Sequence, residues 1–297
     1  MNEEYFENIY TSGDAALESL KSKKFGNKLS KKITSNFHFQ LTKNQIDIIN
    51  EINRDLFSQS KMFRLLQGDV GSGKTIVALI AAVNVIESGY QVAFMAPTEI
   101  LANQHYTLAN KIFNESNIKT DFLTGKTSNS ERKIKINALK ENNINIIFGT
   151  HALFQKKTEF GNLGLIIIDE QHKFGVKQRM ELSKKGGENC DILVMSATPI
   201  PRTLIMTFYG DMDVSKLTEK PSYRKEIISL SKPEIKINEV IKFIKKEITN
   251  KNQIFWVCPL IDESKKLDYE AAVKKFEYLN KIFTGKVGLI HGSLKNE

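Results

Sequence analysis

Cysteine is scarce in this sequence of 297 residues: Cys190 and Cys258 stand far apart and form no metal-type pair. That excludes a disulfide framework and a cysteine zinc site, and it suits a reducing compartment such as the cytosol. The 5 histidines fall at no zinc spacing. No apolar run approaches the length of a membrane span. The opening stretch MNEEYFENIY is acidic and polar, unlike a signal peptide. Arginine is thin as well, six of the 43 basic residues. What is present is ordinary for a soluble globular chain: 41% hydrophobic and 26% charged residues. The length allows one large domain or two smaller ones. A net charge of +9 and a pI near 9.2 permit a polyanionic partner without establishing one. Asn, Ile and Lys are abundant throughout, so part of the lysine excess is composition and the charge carries little weight.

Residues 1–36 are weakly patterned. DAALESLKSK (14–23) suits a short helix, and the cluster Lys21, Lys23, Lys24, Lys28, Lys31 and Lys32 reads as a solvated, mobile leader rather than a nucleic-acid contact. From 37 to 228 the pattern alternates. Helices are expected at 43–57, 75–89, 99–113 and 128–141, and strands at 63–67, 91–96, 120–124, 144–149, 163–169 and 191–196. Strands alternating with helices predict an α/β fold with a doubly wound, mostly parallel sheet. Near-continuous apolar strands such as LGLIII fit burial on both faces. From 229 to 297 the pattern restarts, with helices at 237–248 and 269–283 and strands at 253–260 and 286–292, about half of a second such unit.

GDVGSGKT (68–75) lies between an apolar strand and an apolar helix, the setting a phosphate-binding loop requires. Gly68, Gly71 and Gly73 let the backbone turn tightly; Asp69, Val70 and Ser72 fill the loop, whose N–H groups aim inward beside the helix N-terminus. Lys74 can reach the β- and γ-phosphates, and the Thr75 hydroxyl can ligate Mg²⁺. LGLIIIDEQH (163–172) ends a strand in two acids at the carboxyl edge of the sheet, where ligands of such sheets bind. Asp169 is placed to hold Mg²⁺ and Glu170 to act as general base on an attacking water. MSATPIPRT (195–203) brings Ser196 and Thr198, with Ala197 between them, to the end of the next strand. Their small hydroxyls suit sensing of a γ-phosphate, and a plain hydroxyl-rich turn is the alternative.

GDVGSGKT, APTEILANQH (96–105), LTGKT (123–127), GTHALF (149–154), IIIDEQHKFGVKQR (166–179), SATPIPRTL (196–204), GDMDVSKL (210–217) and WVCPLIDESKKLD (256–268) occur in that order. Together they resemble the helicase core of the RecG family, superfamily 2 DNA helicases with RecA-like lobes, from about residue 37 to the end. DEQHKFGV and SATPIPRTL are shared with the transcription-repair coupling factor, the rival reading, whose partner is RNA polymerase. Gln171 and WVCPLIDES lean toward RecG. The resemblance implies ATP and Mg²⁺ as cofactors, and hydrolysis coupled to movement on double-stranded DNA and remodelling of stalled forks and Holliday junctions. It places Phe39 and Gln45 on the adenine, with core packing and a helix-start role as their alternatives. Gln171 and His172 join Lys74, Asp169 and Glu170 in the catalytic set. Pro97, Thr98, Thr124, Gly125, Thr150, His151 and Arg202 fall on DNA-contacting loops. His151 and His172 suit interdomain contacts equally well, and Arg202 a strand-end carbonyl. The resemblance further implies a monomer in the bacterial cytoplasm at the nucleoid, without membrane, that meets single-stranded-DNA-binding protein. The family's N-terminal wedge and later arginine motif have no counterpart in these residues. The expectation is therefore a fragment that binds ATP and DNA with little turnover, a non-catalytic binding piece being the other description.

Overall fold

The computed structural model describes residues 28–35, 37, 39–58, 60–155, 157–170, 190–198, 212–219, 227–258 and 265–290. They divide into two compact units, Met1–Lys225 and Glu226–Glu297. In the first unit the elements are α1 (Lys28–Ser35), α2 (Lys43–Phe57), β1 (Phe63–Gly68), α3 (Lys74–Glu87), β2 (Gln91–Met95), α4 (Glu99–Phe113), β3 (Thr120–Leu123), α5 (Asn129–Lys140), β4 (Ile146–Gly149), β5 (Leu163–Asp169), β6 (Asp191–Ser196) and β7 (Asp213–Leu217). A short 3-10 turn covers His151–Phe154.

Three helices start where the sequence supplies a side-chain cap. Thr42 and Gln45 form a reciprocal capping box at α2, Ser128 and Glu131 another at α5, and the Thr98 hydroxyl accepts from Leu101 N–H at α4. The seven strands lie in the order β3-β4-β2-β5-β6-β1-β7, and every pair is parallel. Alternate strand residues face opposite sides. Leu66, Val92, Phe94, Phe148, Ile167 and Leu193 pack with α2 and α3 on one face. Leu65, Ala93, Met95, Ile147, Ile166 and Val194 pack with Leu139 and Leu153 on the other. All of β5 is buried, as its unbroken apolar run requires. Helix α3 is buried from Val77 through Ile86, which suits its nearly all-apolar sequence.

Two elements of the first unit differ from the sequence reading. Lys28–Ser35, expected as part of a mobile leader, is a helix. Ile33 is 4% exposed within the core, and Leu29 N–H donates to Glu87 Oε2 at 3.3 Å. One apolar side, Leu29 and Ile33, is enough to seat it while the lysines face water. Strand β7 was not expected because DVSKL has only two apolar residues and no regular alternation. It is held by Arg64 on β1, whose Nη1 donates to Ser215 Oγ at 2.7 Å and whose Nε pairs with Asp55 of α2 at 2.5 Å.

In the second unit α6 (Ile237–Thr249) and α7 (Lys265–Ile282) share a small core of Ile241, Ile244, Leu279 and Phe283, against which Trp256 and Val287 pack. The strands expected at 253–260 and 286–292 are not strands within 252–258 and 286–290. An extended run becomes a strand only by ladder pairing. These two lie against helices through single side chains and share no ladder among the described residues. No helix among those residues is long and apolar enough to cross a membrane.

Opposite the strand carboxyl ends, one buried side chain ties three connections together. Gln91 is 3% exposed; its Nε2 donates to Leu139 O at 2.9 Å and Ile144 O at 2.8 Å, and its Oε1 accepts from Asn162 N–H at 3.1 Å. Leucine there would take this partner from Ile144 O and Asn162 N–H, while Leu139 O would keep the N–H groups of Asn142 and Gly161. Gln91→Leu is expected to lower unfolding free energy by about 1–3 kcal/mol in urea titrations, with nucleotide affinity of the folded protein unchanged.

Candidate active site

Strand β1 ends at Gly68, and the chain turns through 69–73 into α3. A Cβ on Gly68 would lie 2.7 Å from Ser72 Oγ and 2.8 Å from Leu217 Cβ. Gly71 and Gly73 have φ of 78° and 94°, left-handed values that glycine adopts without strain. Gly73 also has no room: a Cβ there would sit 2.2 Å from Gln45 Nε2, which donates to Ser72 O at 2.8 Å. Gln45 Oε1 meanwhile accepts from Thr42 N–H at 2.9 Å. The residue that caps α2 thus braces the loop from beneath. Lys74 Nζ reaches back to Gly68 O at 2.5 Å and Asp69 O at 3.0 Å. Burial lowers its pKa below the ordinary lysine value, while Asp169, Glu170 and Asp69 act in the opposite direction. Lys74 and the acidic pair therefore share one electrostatic site.

That pair lies two strands away. β6 is flanked by β5 and β1, with Asp169 beside Met195 and Gln67 beside Ser196. Asp169 is 8% exposed, and its Oδ2 lies 2.8 Å from His105 Nε2 on α4. Glu170 has φ of 51°, a left-handed value costing a non-glycine residue about 1–2 kcal/mol. Its N–H donates to Met195 O at 2.9 Å, and its Oε1 accepts from Ala197 N–H at 3.1 Å. Ser196 Oγ accepts from Thr198 N–H at 3.2 Å, and Thr198 O accepts from Gln67 Nε2 at 3.1 Å. The turn after β6 is thereby fastened to both Glu170 and β1.

Three more loops open on this edge. Pro97 and the exposed Thr98 precede α4. Thr124 is buried, with its carbonyl accepting from Arg132 Nη2 at 2.7 Å, while Gly125 beside it is exposed. Thr150 is buried and His151 exposed at the start of the 3-10 turn. Phe39 is 37% exposed and stacks on Phe37 at 4.9 Å between ring centroids. Gln171, His172 and Arg202 lie outside the described residues.

Residues 42–207 match the DEAD/DEAH box helicase family. The chain belongs to that family. The matched helicase core is of the RecG type. It is 47% identical over 277 residues to the ATP-dependent DNA helicase RecG of Thermotoga maritima, covering 93% of this chain and 35% of that protein. RecG of Bacillus subtilis is 44% identical over 276 residues, 92% of this chain and 40% of that one. This helicase core thus spans between a third and two fifths of those relatives. A structure of RecG bound to a three-way DNA junction superposes with a TM-score of 0.75 at 42% identity, covering 88% of this chain and 34% of that chain. The DEAD-box helicase Mss116, bound to single-stranded RNA and UDP-BeF, shares the fold at a TM-score of 0.57 and 21% identity, over 81% of this chain and 54% of that one.

DEAD/DEAH box helicases use ATP, and the loop of this helicase core fits a triphosphate on its own geometry. Gly73 is the N-cap of α3 and no side chain caps the helix, so the first N–H groups are left to a ligand. Ser72 Oγ is buried without a hydrogen-bond partner among the described residues. The donor chemistry of Thr75 and Asp169, one hydroxyl and one carboxylate, suits Mg²⁺. Sequence reasoning missed His105, Gln67 and the bracing side of Gln45. His105 ends the motif APTEILANQH without a role of its own and Gln67 precedes the phosphate loop, and only the neighbouring strands reveal their partners. At Gly73, alanine would need both a strained φ and the displacement of Gln45. Gly73→Ala is expected to weaken nucleotide binding at least ~10-fold in fluorescence titrations and to lower thermal stability by about 1–3 kcal/mol. Gly125→Ala, with nothing within 4 Å of the added atom, should leave stability within about 0.5 kcal/mol.

Proposed function

We propose that this chain is the ATP-driven part of a DNA motor, with residues 37–228 as its ATP-binding lobe and 229–297 as the start of the second lobe. The observation that carries the reading is the meeting of Lys74, Asp169 and Glu170 at one edge, with the turn Ser196–Ala197–Thr198 hydrogen-bonded to Glu170. Loop 68–73 with Lys74 holds the phosphates, and Thr75 and Asp169 hold Mg²⁺. Bound ATP–Mg²⁺ supplies a phosphoanhydride whose hydrolysis releases free energy. Glu170 orients the attacking water and takes its proton at the carboxylate. Ser196, Ala197 and Thr198 report the state of that carboxylate to β1 through Gln67. Phe39 offers a ring face to adenine, and Gln45, with one N–H and one lone pair uncommitted, a contact to its edge.

DNA runs over Pro97–Thr98, Thr124–Gly125 and Thr150–His151, where backbone groups and small hydroxyls suit phosphates without reading sequence. RecG has been seen on a three-way junction, and that likeness supports branched DNA as the substrate of the whole protein. Gln171, His172 and Arg202 keep the roles the resemblance gives them. We take the whole protein to be a cytoplasmic monomer that moves on double-stranded DNA and can meet single-stranded-DNA-binding protein at forks.

Lys74→Met tests the reading, using a labelled nucleotide with and without branched DNA. Losing charge-assisted contacts to the phosphates should weaken nucleotide binding about 10–100-fold. The unliganded variant should melt no lower than the wild type, because burial disfavours the charged ammonium at this position. The sign agrees with linkage: between Lys74's lowered folded value and the unfolded value of 10.5 the unfolded chain binds more protons, so this group's contribution to stability rises with pH across that window. Equal nucleotide affinity in wild type and variant would rule the reading out.

A further inference from the structure

His105 lies on α4, two turns after the N-cap Thr98. Its ring is wedged between two groups. One side meets Phe94 of β2, with centroids 4.7 Å apart and planes tilted by 41°. At the other, Nε2 is 2.8 Å from Asp169 Oδ2. Both side chains are 11% exposed, so water competes little for this bond. An ionised carboxylate only accepts, so Nε2 carries the hydrogen. The remaining oxygen, Asp169 Oδ1, has no protein partner among the described residues. One oxygen is tied to a helix and the other is uncommitted, in a carboxylate whose charge acts on Lys74. That is how a carboxylate is prepared to bind a cation through one oxygen: its rotation about the Cβ–Cγ bond is fixed beforehand, and its basicity is tuned by the donor behind it.

We infer that His105 is a positioning residue that fixes the Asp169 carboxylate for Mg²⁺, and so governs how strongly Mg²⁺ tightens nucleotide binding. This rests on the assignment of the phosphate loop and Asp169 made above. It does not make His105 a ligand, since its Nε2 is spent on Asp169. Phosphate-loop contacts do not pass through His105, so binding without metal does not depend on it. Outer partners of this kind are typically worth 10–100-fold in metal affinity.

The test titrates a fluorescent ATP analogue into wild type, His105→Phe and His105→Gln, once in excess EDTA and once in Mg²⁺. Mn²⁺ binding to each nucleotide complex is followed in parallel by electron paramagnetic resonance. Phenylalanine keeps a ring against Phe94 and removes the donor; glutamine restores a donor at similar reach. The expected result is equal affinity of all three in EDTA, with at least a ~10-fold loss of the Mg²⁺ enhancement and of Mn²⁺ affinity in His105→Phe. His105→Gln should recover most of that loss. The inference is overturned if His105→Phe matches wild type in Mg²⁺. It is also overturned if His105→Gln fails as completely as phenylalanine, or if affinity in EDTA falls by the same factor, since packing would then be the cause. Lys74→Met separates the two levels. If wild type binds nucleotide, Lys74→Met does not and His105→Phe equals wild type, only this inference fails. If wild type binds no nucleotide in either medium, both fall.

Discussion

Strand β6 has β5 on one side and β1 on the other, both parallel to it, and the ladder fixes the register of all three. Everything at the site depends on that arrangement. A parallel ladder ends its strands on the same side, so Gly68, Asp169 and Ser196 emerge at one edge although they are far apart in sequence. A slip of one residue would turn Asp169 from one face of the sheet to the other and bury it in a core. The slip is prevented by alternation itself: the two faces are filled by different residue sets, Leu66 and Phe94 on one, Leu65 and Met95 on the other.

Close packing of this edge places groups in positions that are locally unfavourable. Lys74 is partly desolvated, Glu170 adopts a left-handed backbone, and Ser72 keeps a buried hydroxyl with no partner among the described residues. Each has a neighbour that holds it: the acids for Lys74, Met195 O and Ala197 N–H for Glu170, and Gln45 beneath the loop carrying Ser72. Asn142 and Lys251 also have left-handed φ and Asn84 Oδ1 is also buried without a partner among the described residues, but this edge gathers three conflicts, the pattern of a functional site.

Much of this was legible in the sequence. The limits of α2, α4, β5 and β6 follow from apolar periodicity and caps, because those signals are local. GDVGSGKT, DE and SAT were readable because each motif concentrates its chemistry in adjacent residues. What stayed hidden depends on partners distant in sequence. Helix α1 is too short for its periodicity to stand out among lysines, and its place is set by Glu87 and the α3 surface. Strand β7 reads as a loop until Arg64 and Ser215 are seen together. In the second unit, apolar runs that look like strands have no ladder partner among the described residues. His105 was quoted within a motif yet given no role, because its meaning lies in Asp169, on another strand.

The sheet has a second edge, where Gln91 binds the connections around Leu139, Ile144 and Asn162. Nothing of the proposed chemistry reaches it, and nothing of its hydrogen bonding reaches the phosphate loop. The two ends of each strand therefore differ in how the protein would break. Lesions at the Gln91 end would act through the amount of folded protein and grow worse with heat, the behaviour of temperature-sensitive alleles. Lesions at the Gly68 end that keep the loop's shape, such as Lys74→Met, would leave abundance intact and remove function at every temperature, the behaviour of dominant-negative alleles in a protein that still occupies its place.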